Sequence, residues 1–142
     1  MSQLSLDFTG KVALITGGGS GIGRGFALQL ARCGATVAVT DLDGAAAEAV
    51  AGEVEALGGR SLRAAVDVAD AAAVQAAVDR TIERFGHLDF VFANAGVLGP
   101  AEYLDITPAD WDLVLDVNIK GVVHTCGGYM VYTDYSFRNV FQ

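Results

Sequence analysis

Thr16-Gly17-Gly18-Gly19-Ser20-Gly21-Ile22-Gly23 follows directly on a short apolar run, Val12-Ala13-Leu14-Ile15. The run reads as a strand, the glycines as a tight turn, and the residues beyond as the opening of a helix. Such a turn lets backbone N–H groups approach a pyrophosphate, which then rests on the positive end of the helix dipole. No side chain stands in the way at Gly17, Gly21 or Gly23, so a diphosphate can reach the main chain. Glycines alone also serve turns and close helix–sheet packing. Here the strand before and the helix after supply the context that a dinucleotide site requires. Gly17, Gly19, Ser20, Gly21, Ile22 and Gly23 are the first candidate cofactor-binding residues.

Working outward, strand-like and helix-like segments alternate. Residues 11–16 form the first expected strand, and 22–33 a helix stopped by Gly34. Residues 36–40 form a second strand closed by Asp41, and 43–57 a helix ended by Gly58-Gly59. Residues 61–66 give a third strand. Asp70 is an N-cap for a helix over 71–85 that stops at Gly86. Residues 88–93 give a fourth strand. Thr107-Pro108 is a cap followed by proline at the first helical position, opening a long helix that runs past Asn118. The strands are continuous apolar runs, as expected for parallel strands buried on both faces. Short connections between them predict right-handed crossovers and a doubly wound α/β sheet.

The composition agrees. The chain has 142 residues, enough for one domain with a core. It is 52% hydrophobic, with a mean hydropathy of +0.40, which argues against disorder. The net charge of -8 disfavours nucleic acid or an anionic membrane surface as a partner. No apolar run approaches the ~20 residues that span a bilayer, and residues 1–7 carry no secretory signal pattern. Cys33 and Cys126 are unpatterned, so no metal site or redox pair is expected, and a cytoplasmic setting is the default.

Asp41 stands at the end of the second strand, where a carboxylate accepts hydrogen bonds from both adenosine ribose hydroxyls. It would repel a 2′-phosphate. Ser20 is not basic, and no arginine or lysine follows Asp41 closely. These residues predict NAD in preference to NADP.

The glycine turn, Asp41, Asp67-Val68, Asn94-Ala95-Gly96 and Asn118 together resemble the short-chain dehydrogenase/reductase family, over about residues 8–125. The resemblance implies the N-terminal part of a Rossmann sheet with strand order 3-2-1-4 and the later strands missing. It implies hydride transfer between a nicotinamide dinucleotide and an alcohol or carbonyl substrate. It places Asp67 and Val68 beside the adenine ring, and Asn94, Ala95 and Gly96 beside the ribose. It gives Asn118 a kink in the long helix and a share in a water-held proton relay, the one catalytic assignment.

The same family uses a Tyr-x-x-x-Lys pair and an upstream serine. The only lysines here are Lys11 and Lys120, preceded four positions earlier by Asp7 and Asp116. Tyr129, Tyr132 and Tyr135 are followed at the fourth position by Thr133, Ser136 and Asn139. Positioned acid–base catalysis is worth roughly 10²–10⁴ in rate, so the alternative to an active oxidoreductase is a nucleotide-binding chain without turnover, or one that does not fold alone. Residues 127–142 turn aromatic-rich, and no alanine follows Ala109. The expected organisation is therefore an incomplete dinucleotide-binding domain over 1–126 and a tail over 127–142 unlike the family. The fourth strand is expected to lie at an edge with Phe90, Val91 and Phe92 poorly covered, which favours self-association.

Overall fold

The computed structural model describes residues 6–99 and 102–132. Four strands, β1 (Val12–Ile15), β2 (Thr36–Asp41), β3 (Ser61–Ala65) and β4 (Phe90–Phe92), form one parallel sheet in the order β3-β2-β1-β4. Helices α1 (Gly21–Arg32), α2 (Gly44–Ala56) and α3 (Ala71–Phe85) alternate with them; α4 (Pro108–Leu115) and α5 (Gly121–Tyr132) follow. The doubly wound α/β reading and its strand order are the observed ones.

The strands read as unbroken apolar runs because both faces of the sheet are covered. Successive side chains point to opposite faces. Ala13, Ile15, Val37 and Val39 pack with Ala27, Leu28, Val50 and Val54 of α1 and α2. Leu14, Ala38 and Leu62 pack on the other face with Val74, Ala77 and Val78 of α3. Each fully buried Leu or Val contributes about 1.5–3 kcal/mol.

Helix ends follow the local chemistry. The Asp43 carboxylate accepts from the N–H groups of Ala45 and Ala46, and Asp70 does the same for Ala72 and Ala73. Thr107 and Asp110 form a reciprocal capping box, with Pro108 in the first turn of α4. Gly86, at φ +89°, ends α3 in the left-handed conformation.

One expected strand boundary is corrected. The fourth strand is Phe90–Phe92, not 88–93. At its start the Asp89 carboxylate takes the Val12 N–H at 2.8 Å, so a side chain stands where a strand carbonyl would. The long helix does run past Asn118, helical without a break from 108 to 132, with a π-turn, Asp116–Lys120, between α4 and α5. A short 3₁₀ turn, Tyr103–Asp105, precedes α4. β4 is the edge of the sheet among the described residues. Phe90 is 36% exposed but meets Phe8 edge-on at 5.8 Å, and Phe92 lies 5.2 Å from Phe26.

Helix α5 crosses the boundary expected at 126/127. Gly128 is buried against Val74 and Val78 of α3, and the Tyr129 hydroxyl donates to the Asp89 carbonyl at 2.9 Å. The rest of the expected tail, residues 133–142, lies outside the described residues. Burial pushes the Asp89 carboxyl up, but the Val12 N–H, the Lys11 ammonium and His87 together hold it below the usual carboxylate range.

Candidate functional site

The carboxyl ends of the strands open onto a cleft of about 430 Å³. Its lining comes from the glycine turn (Gly17, Ser20, Gly21, Ile22), the end of β2 (Asp41, Leu42) and the segment after β3 (Val66, Asp67, Val68). The segment after β4 (Asn94, Ala95, Gly96, Val97) and Val117 complete it. β1 lies between β2 and β4 in the sheet, so chain order reverses there. Ligands of open α/β sheets bind at such a reversal.

The turn is laced to the exit of β4. The buried Thr16 hydroxyl accepts from the N–H groups of Asn94 and Ala95 at 3.1 and 3.2 Å and donates to the Phe92 carbonyl. Asn94 Nδ2 donates to the carbonyls of Thr16 and Gly17 at 3.0 and 3.1 Å. Behind this lacing α1 crosses the turn so closely that a Cβ on Gly23 would stand 2.1 Å from the Gly17 carbonyl oxygen. Gly21 is different. Its φ is +51°, and a Cβ there would meet nothing within 4 Å. The first glycines close the turn upon itself; Gly21 leaves the main chain bare on the cleft side.

The amino end of α1 lacks what the next three helices have. Ser20, in extended backbone, makes no side-chain cap hydrogen bond, whereas Asp43, Asp70 and Thr107 cap α2, α3 and α4. A helix start carries unsatisfied N–H groups and about half a positive charge. With no side chain to satisfy them, and a cleft in front, this end fits a diphosphate.

Asp41 is fixed from two sides. Its Oδ2 accepts from the Gly19 N–H at 2.9 Å and its Oδ1 from the Asp43 N–H at 3.0 Å. Gly19 has no room for a side chain, since a Cβ would lie 2.8 Å from Asp41 Oδ2. The carboxylate retains lone pairs toward the cleft. No lysine or arginine is among the described lining residues.

The structure brings together Gly17, Ser20, Gly21, Ile22, Asp41, Asp67, Val68, Asn94, Ala95 and Gly96 around this cleft. Gly19, Gly23 and Asn118 stand behind its wall. Asn118 lies in the π-turn. Its Oδ1 accepts the Val97 N–H and its Nδ2 donates to the Val97 carbonyl, both at 2.8 Å. The lining residues Leu42, Val66, Val97 and Val117 carry no signal of their role in the sequence. Thr16 does carry one, which sequence reasoning missed: a hydroxyl residue between an apolar strand and a glycine has backbone groups within reach on both sides.

Comparison with known proteins agrees with this geometry. A family model described as short chain dehydrogenase matches residues 11–134. The chain belongs to the short-chain dehydrogenase family. The chain is 44% identical over 130 residues to D-threitol dehydrogenase from Mycolicibacterium smegmatis, covering 87% of this chain and 49% of that one. An NAD+-bound xylitol dehydrogenase structure superposes with a TM-score of 0.84 at 35% identity, over 90% of this chain and 51% of that one. The 3-ketoacyl-(acyl-carrier-protein) reductase from Brucella melitensis, complexed with NADH, gives 0.78 at 40% identity, over 85% and 49%. The chain spans about half the length of the relatives it matches. No helix among the described residues is long and apolar enough to cross a membrane.

Proposed function

We propose that this short-chain dehydrogenase binds NAD in the cleft, in preference to NADP, as the dinucleotide-binding part of an oxidoreductase acting on an alcohol or carbonyl. The observation that carries the reading is the bare amino end of α1 set beside the fixed Asp41 carboxylate. The α1 N–H groups hold the diphosphate, and Asp41 accepts from the adenosine ribose. A 2′-phosphate would meet that carboxylate with no lysine or arginine among the described lining residues to offset it. Bound nicotinamide supplies the hydride chemistry. Titration calorimetry with NAD and NADP tests the preference. NAD binds more tightly, and Asp41→Ala weakens NAD by roughly 10–100-fold, the loss of a hydrogen bond to a charged group. Equal affinity for the two dinucleotides contradicts the reading.

A second reading is favoured by a specific observation: no Tyr-x-x-x-Lys occurs in this chain. On that ground we propose that the 142-residue chain binds without turning over. Incubated with NAD and a panel of alcohols, it produces no NADH; steady production that depends on the chain sinks this second reading. The exposed Trp111, Leu113, Leu115, Ile119 and Val123 favour self-association, which dilution-dependent light scattering checks.

A further inference from the structure

Helix α5 touches the cleft wall from behind, at Val68. Its first residue, Gly121, sits so close to Val68 that a Cβ there would stand 2.6 Å from Val68 Cγ2. Further along the helix, the Nδ1–H of His124 donates to the Val68 carbonyl at 2.8 Å. Val68 is 6% exposed. A carbonyl in such a place depends on its partner, because water cannot readily replace it.

The position of Val68 gives that bond a consequence. Residues 66–70 form an irregular segment directly after β3. It is anchored to β2 where the Val66 N–H donates to the Asp41 carbonyl at 2.8 Å. Its other bonds are local: the Asp67 carboxylate accepts from the Ala69 N–H, and the Asp70 N–H donates to the Asp67 carbonyl. The His124 bond ties the segment to a different element. With the diphosphate at α1 and the ribose at Asp41, the next lining surface is the apolar patch of Leu42, Val66 and Val68. A flat base stacks there.

We infer that His124 is a positioning residue for the base end of the cleft. Its Nδ1–H holds the Val68 backbone and thereby the apolar wall on which the base rests. The inference rests on the dinucleotide reading above. It also fixes a tautomer. A carbonyl only accepts, so the neutral ring must carry its hydrogen on Nδ1, leaving Nε2 as an acceptor.

The test is an NMR titration of the whole chain with NAD, with AMP and with ribose 5-phosphate, which keeps sugar and phosphate but has no base. His124→Leu weakens NAD and AMP by about 3–10-fold and leaves ribose 5-phosphate unchanged. His124→Asn, whose amide donor can take the place of Nδ1–H, restores AMP to within about twofold. Nitrogen-15 spectra of the free wild-type chain place the neutral His124 hydrogen on Nδ1. The inference is overturned by AMP affinity unaltered in His124→Leu, by an equal loss for ribose 5-phosphate, or by hydrogen on Nε2. Should His124→Leu fail to fold, His124→Ala takes its place: AMP weakened with ribose 5-phosphate unchanged upholds the inference, and AMP affinity unaltered overturns it. A wild-type chain that binds neither NAD nor AMP overturns the dinucleotide reading and this inference with it, whereas NAD binding indifferent to His124 overturns the inference alone.

Discussion

From β1 to α3 the apolar side chains go into two closed layers. From β4 to α5 many of them remain on the surface. Helix α2 buries Ala47, Val50, Ala51 and Val54; α4 and the π-turn bury no residue at all. Trp111 is 51% and Ile119 58% exposed. The second region meets the first through β4 beside β1 in the sheet, through Gly121 and Gly128 of α5 packed on Val68, Val74 and Val78, and through the His124 bond to the Val68 carbonyl; Asn118 bonds Val97 within the second region. The difference separates two tasks. The first region supplies the rigid turn and the fixed carboxylate of the cleft. The second region secures the loops that close it. A layered core resists local opening, whereas a region that leaves much of its apolar surface exposed opens at lower free energy.

The sharpest way to break this comparison is Gly23→Ala. A Cβ there collides with backbone, the Gly17 carbonyl oxygen, which cannot step aside without reopening the turn. A loss of about 3 kcal/mol is expected in denaturant unfolding, carried by the first region. Little change would mean that α1 does not cross the turn as described. Next comes Asn118→Ala. It removes two bonds to Val97, for a loss of about 1–2 kcal/mol. Amide exchange should quicken around residues 95–99 and in α5 while β1 and β2 stay protected. Faster exchange throughout the sheet would show that the two regions are not separable.

The smallest effect is one of pH. Asp89 joins the starts of β1 and β4, and its carboxyl is held below the ordinary range. A group whose folded pKa is depressed contributes stability above its unfolded value, and that stability is lost as pH falls through the folded value. Stability from Asp89 is therefore complete above about pH 4 and declines below it. Asp89→Asn should flatten the acid limb of a stability–pH curve. An unchanged limb would remove Asp89 from the junction.

Much of the first region is legible in the sequence because its signals are local. Asp70 capping a helix that Gly86 stops defines α3 to the residue. The place of Asp41 on the cleft is legible because it ends the strand that follows the glycine turn and its helix. The division of labour among the glycines is not legible. Gly17, Gly21 and Gly23 look alike in sequence, yet Gly23 faces backbone and Gly21 faces open space. The π-turn is hidden from the residue pattern for a similar reason, although the family resemblance set a kink at Asn118. Val114, Leu115, Val117 and Ile119 suit any helical period, and none is buried to mark a face. His124 is invisible as a contact residue because its partner is a main-chain carbonyl 56 residues away, and a carbonyl leaves no trace in residue type.

The central proposal is that the bare end of α1 and the Asp41 carboxylate together make one dinucleotide site. The measurement that meets it most directly is a backbone amide spectrum of the chain titrated with NAD. The largest shifts are expected at Gly19, Ser20, Gly21 and Ile22, with a second group at Asp41, Leu42 and residues 66–68. Shifts confined to α4 and α5, or none at saturating NAD, would contradict it.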